Sequence, residues 1–114
     1  MIFETRELVF TNTALKKAFD WYAKVPNQGD LPPGAITGVT PKPGGGVTVL
    51  VQQIGASKNR EVSFTASKTM AVLLYFCRKQ RIPIPRDAYK DIAANGDAIS
   101  LTISGETRTA SPEP

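Results

Sequence analysis

Residues 60–81 read REVSFTASKTMAVLLYFCRKQR, a β-prone run that passes directly into a greasy helix with a basic end. In the run, Val62 and Phe64 fall on one side and Glu61 and Ser63 on the other, the alternation of a half-buried strand. From Met70 to Cys77 every residue is apolar. That is too many for one stripe, so the helix should be covered on more than one side and act as the hub of the core.

The same plan occurs earlier in the chain. Residues 6–11 read RELVFT, 54 residues before REVSFT, with Arg, Glu, Phe and Thr in matching places. A helix follows here too: Thr11, Asn12 and Thr13 offer caps, and Leu15, Ala18, Phe19 and Tyr22 recur at helical spacing. Trp21 and Tyr22 align with Tyr75 and Phe76, and Lys24 with Arg78. Pro26 and Gly29 end the first helix, and a Leu-Pro or Ile-Pro pair follows each helix, at Leu31-Pro32 and Ile84-Pro85. Two halves of similar plan are expected.

The remainder fills in around them. Residues 35–40 and 47–53 read as two strands joined by a flexible Pro-Lys-Pro-Gly-Gly-Gly turn, a hairpin. Pro85 suits the first turn of a short helix carrying Ala88, Tyr89 and Ile92, with Asn95-Gly96 as its stop. Ile99, Leu101 and Ile103 then alternate with Ser100 and Thr102 in a last strand. The order β-α-β-β-β-α-α-β predicts an α+β domain over residues 1–104. Two main helices pack on one face of a small, mostly antiparallel sheet, ferredoxin-like or a variant of it. Residues 105–114 contain no apolar side chain larger than alanine and are expected to form a disordered tail.

Composition narrows the chemistry. The chain has no histidine, which removes the commonest general base and the commonest transition-metal ligand together. Its single cysteine, Cys77, cannot build a thiolate zinc site or an internal disulfide. No catalytic, metal-binding or cofactor-binding residues are therefore assigned. Two partial motifs are better read as loops: residues 55–59, GASKN, lack the second glycine of a nucleophile elbow, and Gly44-Gly45-Gly46 is not followed by the Lys-Ser/Thr of a phosphate loop. The N-terminus does not read as a signal peptide, and the longest apolar run is far short of the roughly 20 residues of a membrane span. A cytoplasmic protein without membrane contact is expected.

Four surfaces are candidates for binding. The net charge of +4 is concentrated near the second helix, since no acidic residue lies between Glu61 and Asp87. Lys16, Lys17, Lys24, Lys68, Arg78, Lys79 and Arg81, with Arg86 just beyond, would make a basic helical layer able to attract phosphates, or simply a solubilising surface that complements the helix dipole. The open sheet face carries Glu7, Val9, Thr48, Leu50, Gln52, Glu61, Ser63, Ser100 and Thr102 and, on this register, no ring on which a base could stack. Trp21, Tyr22, Tyr75 and Phe76 are read mainly as core. Ile82-Pro83-Ile84-Pro85 is an extended segment with two isoleucines. The expected function is a small non-catalytic binding module acting through protein–protein interaction or self-association. Electrostatic nucleic-acid binding through the basic layer is the alternative.

Overall fold

The computed structural model describes residues 2–55 and 57–107. Its elements run β1 (Ile2–Phe10), α1 (Asn12–Ala23), β2 (Ala35–Pro41), β3 (Val47–Gln52), β4 (Asn59–Phe64), α2 (Ala66–Lys79), β5 (Tyr89–Asn95) and β6 (Ala98–Thr107). The α+β class is as the sequence predicts, and both halves follow the order β-α-β-β. The repeat extends to the caps. Thr11 accepts from the Ala14 amide at 3.3 Å and Thr65 from the Lys68 amide at 3.2 Å, each supplying an acceptor to an otherwise orphaned first-turn donor.

The strands do not form the single sheet of a ferredoxin-like arrangement. They divide into two antiparallel three-stranded sheets, β1-β6-β5 and β2-β3-β4. Each sheet is built from the hairpin of one half and the first strand of the other. Thus Phe10 pairs with Ile99 across the halves, and Phe64 pairs with Val47. This exchange places Leu8 and Phe10 beside Leu101 and Ile99, and Val62 and Phe64 beside Val49 and Val47. Both inner faces pour into one core with Leu15, Phe19, Val39, Leu73 and Phe76.

Two further expectations change. The segment read as a short helix is β5, and Asn95-Gly96 belongs to a hairpin in which Asn95 pairs with Ala98, leaving Gly96 and Asp97 as a two-residue turn. Only the first turn survives, as a hydrogen bond from the Ala88 amide to the Pro85 carbonyl. The strand wins because central β6 otherwise leaves one row of amides and carbonyls unpaired, and because Ile92 alone needs burial there. The strand β6 also continues through Thr107, so 105–107 belong to the sheet; residues 108–114 lie outside the described residues.

The glycine-rich turn between β2 and β3 is packed, not free. Gly45 and Gly46 are buried, a Cβ on Gly46 would run into the Phe64 carbonyl oxygen, and one on Gly45 would meet Ile92 at 2.8 Å. That hairpin tip therefore docks on β5. Asn12 fastens the same junction, its Nδ2 donating to the Val39 and Asp97 carbonyls at 2.9 Å each. The two sheets are joined where their hairpins meet. Among the described residues no helix is long and apolar enough to cross a membrane.

Candidate functional site

The chemistry-bearing side chains collect around the segment that leads from α2 into β5. Helix α2 ends in a Schellman motif, with the Ile82 amide donating to the Cys77 carbonyl at 2.8 Å and the Arg81 amide to the Arg78 carbonyl at 3.2 Å. Arg81 takes the left-handed position, φ 60°, that glycine usually fills. From there the Ile-Pro-Ile-Pro segment runs extended. Arg6 Nη2 holds it from within, donating to the Pro83 carbonyl at 2.7 Å, and Lys90 Nζ ties down the residues just beyond it, donating to the carbonyls of Arg86 at 3.2 Å and Ala88 at 3.1 Å.

A groove of about 570 Å³ lies on the helix side of this segment. Arg78, Arg81, Arg86 and Lys90 line it over an apolar floor of Leu74, Ile82 and Ile84. No acidic side chain lines it among the described residues. Four like charges around one concavity repel one another, and an anion placed between them relieves that repulsion. On the strand side of the same segment is a second cavity, about 910 Å³, to which Phe3, Tyr89 and Ser104 contribute. Its charges are balanced, with Glu4 and Asp87 against Arg6 and Arg86.

The residues of the basic layer expected from the sequence lie along α1 and α2 or at their ends. Arg78 and Arg81 reach the groove. Lys68 sits near the other end of α2 and pairs with Asp30 at 2.8 Å. Lys17 lies over the Trp21 ring and Lys79 over the Tyr75 ring, at 5.5 and 5.6 Å from the ring centres. Lys16 on α1 and Lys24 at its C-terminal cap are exposed. Arg86 and Lys90 complete the groove, Lys90 from β5, the segment that the sequence predicts as helix.

Of the four aromatics singled out on the helices, Phe76 belongs to the core, Trp21 and Tyr22 pack half-buried against it, and Tyr75 is half-buried. Trp21 meets Phe76 edge-on at 5.1 Å between ring centres, and Tyr22 meets Tyr75 at 6.4 Å. Tyr22 also donates to Asp30, and burial followed by this bond raises its pKa to about 12. Asp30 is held below the ordinary carboxylate range by Lys68 first and Tyr22 second. Burial raises the pKa of the Cys77 thiol, which packs in the core.

The sheet faces also need correcting. Most of the residues assigned to the open face do point away from the core, but the β1-β6-β5 sheet carries two rings there. Phe3 lies on the side of β1 shared by Glu7 and Val9, and Tyr89 pairs with Ser104 on that face. Phe3 precedes the alternating run that starts at Arg6, and Tyr89 fits a helical period as well as a strand. Of the loop resembling a nucleophile elbow, Gly55, Ser57 and Lys58 are exposed, Asn59 begins β4, and Ala56 lies outside the described residues.

These features define an α+β protein whose halves share the order β-α-β-β, with exchanged first strands and a cationic groove. No protein-family model matches the chain, no curated protein matches it, and no solved structure matches it. Among the described residues no group of three or more His, Cys, Asp or Glu side chains is placed to hold a metal ion.

Proposed function

We propose that this protein is a non-catalytic binding module of the cytoplasm whose ligand is nucleic acid, held by its phosphates in the groove at the end of α2. The observation that supports this most is the convergence of Arg78, Arg81, Arg86 and Lys90 on one concavity without an acidic neighbour in its lining. Guanidinium groups suit phosphate because their fork of donors matches two of its oxygens.

The test is a salt series. Four phosphate contacts give a slope of log K against log salt of about −3 for a single strand, at roughly 0.7 per contact. Fluorescence anisotropy with a labelled oligonucleotide should show that slope, and Arg78→Glu with Arg81→Glu should abolish binding. Affinity indifferent to salt, or to that double substitution, would contradict the proposal.

Self-association is the second reading, and β1 favours it. This nine-residue edge strand leaves Ile2, Phe3 and Val9 exposed, and an unpaired edge with apolar side chains is a template for another strand. Light scattering on the chain without nucleic acid decides it: a dimer broken by Ile2→Lys supports this reading, and a monomer removes it.

A further inference from the structure

We infer that the nucleic acid held at this corner is single-stranded, with Phe3 and Tyr89 as the rings on which two of its bases stack. The inference rests on the nucleic-acid reading above and adds the form of the ligand. Phe3 is 71% exposed and Tyr89 69%, while every other aromatic ring in the chain is buried or half-buried. They stand on the outer face of the β1-β6-β5 sheet, on opposite sides of its central strand. Tyr89 is level with Ser104 and Thr5, and Phe3 is two residues farther along β1. Strand spacing and rise put the two positions roughly 12 Å apart. That is too far to clamp one base from both sides, so each ring takes a base of its own.

Charge divides the two sides of the Pro83-Ile84-Pro85 segment in the way a single strand requires. The helix side is purely cationic and suits phosphates; the ring side is balanced, with Glu4 and Asp87 in its lining, and suits uncharged bases. Arg86 lines both cavities and joins the two tracks. Glu7 and Asp91 flank Thr102 on the same outer face and oppose a phosphate chain running farther across the sheet. The site is therefore short, a few nucleotides long. A duplex cannot use the rings, because its base faces are already covered by their neighbours.

The test compares a short fluorescein-labelled oligothymidylate with a duplex of the same length, by anisotropy at low salt on the full chain. The wild-type protein should bind the single strand at least tenfold more tightly. Phe3→Ala with Tyr89→Ala should lower single-strand affinity by roughly tenfold or more and erase the preference. The salt slope and the duplex affinity should stay as they were. Phe3→Tyr with Tyr89→Phe should retain binding, and both pairs alter exposed side chains, with circular dichroism to confirm that they fold. Single-strand binding untouched by the alanine pair but lost in Arg78→Glu/Arg81→Glu overturns the stacking inference and leaves the nucleic-acid reading standing. No binding of either oligonucleotide by the wild-type chain overturns both.

Discussion

Arg81 holds a left-handed backbone that costs an L-residue about 1 kcal/mol or more, whereas its counterpart 54 residues earlier, Asn27, is a residue that tolerates it. Strain at a groove-lining arginine is what a binding site would retain. Arg81→Gly should therefore raise stability by about 0.5 to 1 kcal/mol in urea denaturation while weakening oligonucleotide binding. A less stable variant would show that the arginine is not strained. The Tyr22–Asp30–Lys68 cluster gives the second residue-scale prediction. Because the folded-state pKa of Tyr22 is raised to about 12 from 10, its contribution is complete below pH 10 and is lost as pH rises from 10 towards 12. Asp30 works in the opposite sense: its lowered pKa contributes above about pH 4 and fails in more acid solution. In unfolding free energies measured between pH 9 and 12, Tyr22→Phe should flatten the alkaline decline. An unchanged decline would place its origin elsewhere.

At the scale of elements, β5 and the β2–β3 turn show what pattern alone withholds. Ala88, Tyr89 and Ile92 fit one side of a helix, yet the strand needs only Ile92 inward, and the demand of β6 for a second partner is invisible in a local window. A helical pattern over this segment gives Lys90 and Tyr89, two of the six side chains of the site, no common place. Arg78 and Arg81 were legible because a basic helix end following an apolar run is a local signal. The glycines of the turn were legible as a turn, but their reason is tertiary. Gly46→Ala drives a Cβ into the Phe64 carbonyl and should cost about 1 to 3 kcal/mol in thermal or urea unfolding. Near-neutral behaviour would mean that the hairpin tip does not dock as described.

For the molecule as a whole, the 54-residue repeat was written in RELVFT and REVSFT, but the exchange of first strands was not. Each first strand presents the same alternating apolar side to its own hairpin and to the other, so sequence alone does not choose between them. The exchange makes the halves interdependent: residues 1–57 alone leave β1 without β6, and residues 58–114 leave β4 without β3. Each fragment should be unfolded by circular dichroism and the mixture folded, whereas a fragment that folds alone would argue for pairing within each half. Arg78, Arg81, Arg86 and Lys90 all belong to the second half, so a single binding corner is expected despite the repeated plan. The decisive measurement is an amide-shift titration of the isotopically labelled chain with a short oligothymidylate. Saturable shifts confined to residues 3–6, 78–90 and 104–105 would bear the account out; shifts centred on Lys16, Lys17 and Lys24, or none, would contradict it.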